Sequence, residues 1–147
     1  MKTIGLLGGI SYTSTTKYYE MINQRINEIL GGRSSAKIIL YSFDFEKISA
    51  LQDAGRWDEL TKIMVKRASD LKKSGADFIA ICANTMHKMA SNIENDVGID
   101  VLHIAKATAD AIIMRGLKKE VLLGKICDAG RLLYKDFRGI WDRGYYS

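Results

Sequence analysis

The sequence predicts an α/β protein built on an open parallel sheet, with helices on both faces in three layers. Short apolar runs alternate along the chain with longer stretches of helical period, and this alternation is typical of βαβ units with right-handed connections. The runs IILY and FIAI are almost continuously apolar, which indicates strands that are covered on both faces. At 147 residues, the chain has about the size of one domain.

The first strand and helix are the clearest elements. TIGLLGG, residues 3–9, reads as a strand that runs into a glycine turn. Residues 13–30 follow with a helical period, which Gly31 and Gly32 end. The apolar residues on one face of this predicted helix are Tyr18, Tyr19, Ile22, Ile26 and Leu30.

The later elements repeat the order of strand and helix. AKIILYS is the second strand, and residues 43–60 are expected to be loop with a short helical piece, leading into a helix that ends near Ser74 and Gly75. The remaining predicted elements are the strand ADFIAIC, the helix TMHKMASNIEND, the strand IDVLHI, the helix AKATADAIIMRG and the strand KEVLLG.

Composition argues against two kinds of partner. The net charge is +5, but acidic and basic residues nearly cancel through Gly116, and no basic stripe interleaves with aromatic residues, so we expect no nucleic-acid partner. We expect no membrane partner either, since no apolar run approaches the ~20 residues that cross a bilayer. The start of the sequence does not read as a signal peptide. The expected location is the cytoplasm, with Cys82 and Cys127 as reduced thiols.

Ligands of parallel sheets bind beyond the carboxyl ends of the strands. This rule selects the loops Gly8–Tyr12, Phe43–Gln52 and Cys82–Thr85, and the chain from His103 onward. The first loop matches neither of the common phosphate-binding glycine motifs. It is a tight turn, or else a cradle in which the glycines, Ser11 and helix-start N–H groups hold a carboxylate.

Cys82 has two interpretations. A cysteine that ends an apolar strand is often a small buried residue. Its position before a helix start favours a reactive thiol, because the helix dipole would lower the thiol pKa. Asn84 and Thr85 lie just beyond it and can cap that helix or bind a substrate. No Cys-x-x-Cys pair and no metal-ligand spacing is present, so we expect no metal.

The other polar candidates carry weaker signals. His87 either activates Cys82, lies on the helix surface or packs under the loop, and His103 either lines the cleft or is a half-buried structural residue. Gln52 is a candidate for holding a carboxylate or amino group, whereas Arg56 reads as solvated. Asp44 is a candidate polar residue of the cleft, and only its position supports it.

Several stretches together resemble the aspartate/glutamate racemase family over residues 1 to 124: KTIGLLGGIS, YSFDF with LQDAGRW, GADFIAICANTMHK, LHIAKATADAI and VLLG. The Cys-Asn-Thr turn after GADFI and the early IGLLGG are the specific features. The resemblance implies the amino-terminal lobe of a two-lobed fold, and a cofactor-independent racemase of aspartate, glutamate or related amino acids. A homodimer is also expected.

The resemblance assigns roles to residues of this sequence. Cys82 would be one of two thiol bases that remove and return the α-proton from opposite faces of the substrate. Asn84 and Thr85 would bind the substrate carboxylate or amine. The residues expected to line the rest of the pocket are Gly9, Ile10, Ser11 and Gln52.

The carboxyl-terminal part departs from the family. Residues 1–116 would be the racemase lobe and 117–124 the first strand of the second lobe, but residues 125–147 show poor apolar periodicity and lack the GCTE-type turn of the second base. Cys127 does not match that turn. One choice of synonymous codons, read one base later, encodes an amphipathic helix and a strand, so we interpret the tail as a frameshift product near Lys125.

This departure predicts impaired racemisation, since one base would be missing. A non-catalytic α/β fragment that binds an amino acid, or that dimerises to cover its exposed sheet edge, is the main alternative. A cysteine hydrolase using Cys82 and His87 ranks last, because no acid is evident to orient the histidine.

Overall fold

A computed structural model describes residues 1–115, and four parallel strands form its sheet in the order β2-β1-β3-β4. The strands are β1 (Thr3–Gly8), β2 (Lys37–Ser42), β3 (Phe78–Ile81) and β4 (Val101–Leu102). The helices are α1 (Tyr12–Leu30), α2 (Phe45–Asp53), α3 (Trp57–Lys73), α4 (Ala90–Val97) and α5 (Ile104–Met114), with a 3-10 helix at Thr85–Met89. The predicted strand at 117–124 and the tail at 125–147, with Cys127, lie outside the described residues.

The two faces of the sheet carry different helices. Because side chains alternate along a strand, Leu7 and Ile81 point to one face, where they pack in a cluster with residues of α2, α3 and α4. Leu6 and Cys82 point to the other face, where Tyr18 and residues near it on α1 cover them. The predicted sheet with helices on both faces is therefore confirmed.

Helix α3 supplies much of the larger core. Its buried residues recur every three or four positions, which places them on one helical face. Those residues are Leu60, Met64, Ala68 and Leu71. Acidic residues in the first turn and lysines in the last complement the helix dipole. Lys72 also donates hydrogen bonds to the carbonyl oxygens of Val97 and Gly98 at 2.8 and 3.0 Å, which ties α3 to the end of α4.

Some element boundaries differ from the prediction. The segment after β2, expected to be loop with a short helical piece, contains the nine-residue helix α2. The expected helix after Cys82 begins as a 3-10 helix. Three residues per turn put Met86 and Met89 on one side of it, where both are buried. Tyr19 and Leu30 belong to the predicted apolar face of α1, but both are exposed. Helical periodicity predicts which residues share a face, but it does not predict which parts of that face another element covers.

Gly5 lies on the face of β1 that packs against α3. Gly5→Ala is expected to lower the free energy of unfolding by about 1–3 kcal/mol, because the core there is closely packed. The added Cβ would lie 2.8 Å from Ile79 Cδ1 and 3.0 Å from Ala76 Cβ. Since Ile79→Val removes Cδ1, the double variant Gly5→Ala/Ile79→Val should lose less unfolding free energy than the two single losses together. Urea denaturation measures all three variants, and strictly additive losses would argue against this contact.

Candidate active site

The candidate site lies between β1 and β3, which are neighbours in the sheet. The pairing of Leu7 with Ile81 is extended by a hydrogen bond from the Cys82 N–H to the Leu7 carbonyl at 2.9 Å. After β1 the chain continues to α1 on one face of the sheet, whereas after β3 it continues to α4 on the other. Ligands of open parallel sheets bind where the connections diverge in this way.

Cys82 is buried beneath α1, with 1% of its surface exposed. Burial raises the pKa of the Cys82 thiol to about 11, and the Thr15 hydroxyl opposes this by stabilising the thiolate. Burial also raises the pKa of Tyr18, and the neighbouring Cys82 charge adds to that rise. The predicted lowering of the thiol pKa by the following helix is wrong, because desolvation outweighs the short 3-10 helix that stands there.

Two hydroxyl groups of α1 connect Cys82 to the loop after β1. The Ser14 Oγ lies 2.9 Å from the carbonyl oxygens of both Cys82 and Ser11. The Thr15 Oγ1 accepts the Gly9 N–H at 2.8 Å and donates to the Ser11 carbonyl at 3.0 Å. We did not single out either residue from the sequence. The hydroxyl-rich run TSTT directly after the glycine turn is the signal that would have found them.

Gly8 and Gly9 are required by close packing of this loop. A Cβ on Gly8 would meet the Thr15 side chain and lie 2.9 Å from Leu40 Cδ1. Gly9 has a φ of +86°, and a Cβ there would meet the backbone of Phe43. The Phe43 N–H in turn donates to the Gly8 carbonyl at 2.9 Å. The geometry therefore supports the tight-turn interpretation of the glycines.

The remaining predicted pocket residues of the loops after β1 and β3 differ in how exposed they are. The Ile10 side chain belongs to the buried core, so only its backbone is left to line a pocket. Ser11 is partly exposed, and its Oγ lies 2.6 Å from Thr13 Oγ1. Asn84 is exposed and Thr85 half-buried. Asn84 makes no side-chain cap to the 3-10 helix, and an exposed amide there remains accessible to a ligand.

The loop after β2 contributes through α2. Gln52 is half-buried in the last turn of α2, next to Leu51, which packs on the same core cluster that contains Ile10. Arg56 donates to both carboxylate oxygens of Glu59. The predicted solvated role of Arg56 agrees with this exposed ion pair.

The two histidines lie against each other, with ring centroids 4.8 Å apart. His87 is 3% exposed, its Nδ1 lies 3.0 Å from the Ala83 carbonyl, and its Nε2 is buried without a hydrogen-bond partner. Burial first, and then His103, lower the pKa of His87, although nearby carbonyl oxygens favour its charged form. The His103 Nδ1 accepts the Ala105 N–H at 3.2 Å and caps α5. The burial of His87 agrees with the expectation that it packs under the loop.

One surface depression of the described residues lies away from Cys82. A depression of about 430 Å³ lies between α3 and α4, on the outer helical layer rather than at Cys82. Within residues 1–115, no group of three or more His, Cys, Asp or Glu side chains is placed to hold a metal ion. None of the helices in that part of the chain is long and apolar enough to cross a membrane.

Fold and site together define a parallel α/β lobe with a cysteine at the point where its connections diverge. Residues 7–125 match the Asp/Glu/hydantoin racemase family, and the chain belongs to that family. This confirms the resemblance found in the sequence motifs.

Individual relatives agree with this assignment. The chain is 41% identical to a proposed Asp/Glu racemase from Yersinia pestis, whose crystal structure it matches with a TM-score of 0.85 over 100% of this chain and 74% of that one. An aspartate racemase homologue from Pyrococcus horikoshii OT3 matches at 29% identity and a TM-score of 0.81, over 95% of this chain and 61% of that one.

A curated relative is considerably longer than this chain. The broad specificity amino-acid racemase RacX of Bacillus subtilis is 28% identical over an alignment of 126 residues that covers 82% of this chain and 53% of RacX. The chain thus spans about half the length of that relative.

Proposed function

We propose that the chain is the amino-terminal lobe of an amino-acid racemase of the aspartate/glutamate type, with Cys82 as one of two thiol bases and no cofactor. The observation that carries the proposal is the position of Cys82 beside the glycine loop, where the connections of the sheet diverge, in a chain of this family. We expect the protein in the cytoplasm, where both of its cysteines stay reduced.

The environment of Cys82 suits proton transfer at a weakly acidic carbon. A thiol with a pKa of about 11 is protonated at neutral pH, so it can return a proton to a carbanion. Its thiolate, once formed, is a stronger base than an ordinary thiolate, because basicity rises with pKa. Exclusion of water beneath α1 also strengthens the hydrogen bonds that stabilise developing charge.

The substrate carboxylate and amine are proposed to bind to the loops that follow β1 and β3. Exposed Asn84 and half-buried Thr85 offer an amide and a hydroxyl next to Cys82. Gly9, Ile10 and Ser11 offer backbone groups at the start of α1, where the helix dipole favours an anion. Gln52 is proposed to hold the side-chain carboxylate of a dicarboxylic amino acid.

The proposed reaction is incomplete in this chain. Cys82 is the free cysteine among residues 1–115, and Cys127 does not match the second base of the family. We therefore expect abstraction and return of the α-proton on one face of the substrate, without net inversion. The interpretation of residues 125–147 as a frameshift product remains a prediction, which the gene sequence tests.

Alkylation of Cys82 across pH tests the thiol and its ligand together. Iodoacetamide labelling, followed by peptide mass spectrometry to separate Cys82 from Cys127, should speed up about tenfold per pH unit through pH 10. An ordinary thiol levels off near its pKa of ~8.5. Aspartate or glutamate should slow Cys82 labelling, with alanine amide as the control that lacks carboxylates. A plateau near pH 8.5 without ligand protection would leave Cys82 a packing residue.

Exchange of the α-proton in D₂O tests the chemistry. We expect deuterium uptake into one enantiomer of the substrate without net inversion, and no uptake with Cys82→Ser. Net inversion by this chain would contradict the missing second base, and uptake that persists in Cys82→Ser would exclude Cys82 as the base.

Exposed apolar side chains favour a second candidate, a non-catalytic fragment that forms a homodimer. β2 is an edge strand, and Leu40 on it is 45% exposed. The large apolar residues of α1 that are also exposed are Tyr12, Tyr19, Met21, Ile29 and Leu30. Tyr12, Tyr19 and Leu30 share one side of α1 by their helical spacing, and exposed apolar side chains grouped in this way are typical of an interface. Sedimentation equilibrium with a concentration-dependent mass, together with no ligand protection of Cys82, would support this candidate over the racemase.

A further inference from the structure

The Thr15 hydroxyl occupies a buried position between the loop after β1 and Cys82. Thr15 is 4% exposed, and Gly8 lets it approach the end of β1, since a Cβ on Gly8 would meet the Thr15 side chain. Its oxygen accepts the Gly9 N–H at 2.8 Å, and its single proton is directed to the Ser11 carbonyl at 3.0 Å. The register that pairs Leu7 with Ile81 places Gly8 beside Cys82, so the Thr15 side chain that packs over Gly8 lies on the same face of the sheet as the thiol. From there its hydroxyl lowers the pKa of Cys82 against the larger effect of burial.

We infer that Thr15 is a positioning residue that couples the charge of Cys82 to the loop after β1. While the thiol is neutral, the Thr15 proton is donated to the Ser11 carbonyl. When the thiolate forms, the O–H bond turns and donates to the Cys82 sulfur. This inference rests on the proposed role of Cys82 as a base.

The rotation leaves no polar group unsatisfied. The Ser11 carbonyl keeps the Thr15 N–H as a donor at 3.3 Å. The single proton of the Ser14 hydroxyl is shared between this oxygen and the Cys82 carbonyl oxygen, each 2.9 Å from Ser14 Oγ. The Thr15 oxygen keeps the Gly9 N–H, because a hydroxyl accepts through its lone pairs whichever way its proton points. That N–H also polarises the hydroxyl and makes it a stronger donor.

A buried thiolate requires such a donor. Desolvation penalises the charged form, and the Thr15 hydroxyl offsets part of that penalty by favouring the thiolate. Ser14 provides a contrast on the same helical turn, since its hydroxyl contacts the Cys82 carbonyl rather than the thiol. The two hydroxyls therefore separate the effect of holding the backbone from the effect of stabilising the charge.

The test measures Cys82 alkylation by iodoacetamide against pH in the full chain, without any ligand. Thr15→Val should slow labelling about tenfold to a hundredfold at every pH below 10, since a hydrogen bond to a charged group is lost. Thr15→Ser should restore the rate to within about threefold of the original. Ser14→Ala, the matched control, should also stay within about threefold.

Any of three results would overturn the inference. The first is a Thr15→Val rate equal to that of Ser14→Ala. The second is faster labelling in Thr15→Val, which would show that the threonine only keeps the thiol buried. The third is a Thr15→Ser rate reduced as much as that of a variant without the hydroxyl. Circular dichroism checks the folding of each variant, and if Thr15→Val does not fold, Thr15→Ala takes its place under the same criteria. Because no ligand is used, failure of ligand protection would refute the racemase proposal separately.

Discussion

Replacing Gly9 by alanine is expected to destabilise the protein by about 3 kcal/mol or more and to abolish ligand protection of Cys82. The positive φ of +86° costs a residue with a Cβ about 1–2 kcal/mol. Contact of the new Cβ with the Phe43 backbone adds an overpacking cost of about 1–3 kcal/mol. Relief of that contact would break the hydrogen bond from Phe43 to the Gly8 carbonyl and displace the loop.

Gly55→Ala is the matched control for this prediction. Gly55 also has a positive φ, +68°, but nothing lies within 4 Å of an added Cβ. Its variant should lose only the conformational part, about 1–2 kcal/mol, and should keep ligand protection. Urea denaturation gives both free energies of unfolding, and equal losses at the two positions would show that the Phe43 contact is unimportant.

Acidification below about pH 6.5, the ordinary histidine pKa, is expected to destabilise the protein through His87. Burial and His103 lower the pKa of His87 in the folded protein. Below pH 6.5, the unfolded chain therefore binds a proton at His87 more readily than the folded protein does. This contribution to stability is complete above pH 6.5, and it falls as the pH drops from there toward the folded pKa. The slope approaches about 1.4 kcal/mol per pH unit for one proton.

The variant that tests this is His87→Asn. Its amide can still donate to the Ala83 carbonyl, as the Nδ1–H does, but it does not titrate. Free energies of unfolding between pH 5 and 7 should depend less on pH in His87→Asn than in the original protein. His103→Asn, which keeps an acceptor for the Ala105 N–H, should retain most of the slope. Identical slopes in His87→Asn and the original protein would place the titration elsewhere.

The architecture was predictable because it depends on local patterns. Apolar runs and helical periods define strands and helices in order, and parallel strands bring the loops that follow them to one edge. Cys82 and Gly9 were therefore expected at the same edge from the sequence alone. That β1 and β3 are direct neighbours, and that the loops meet through the Cys82 N–H and the Leu7 carbonyl, required the structure.

The chemistry of Cys82 was less predictable because its surroundings come from elsewhere in the chain. Sequence reasoning considered the residues that follow the cysteine and predicted a lowered pKa. Ser14 and Thr15, which contact it, belong to α1 and lie far from it in sequence. Because α1 covers the Cys82 thiol and removes it from water, the pKa of the thiol is raised rather than lowered. His87 was expected either on the helix surface or under the loop, and only packing could decide between them.

The pairing of β1 with β3 also determines when the site forms during folding. The Thr3 N–H bonds to Asp77, 74 positions away, so closing this loop is entropically costly and slow compared with local contacts. During synthesis, β1 can pair with β3 only after residues 9–77 and β3 itself have emerged. Cys82 reaches its buried position only when β3 docks, so a pulse of thiol label during refolding would time the assembly of the sheet.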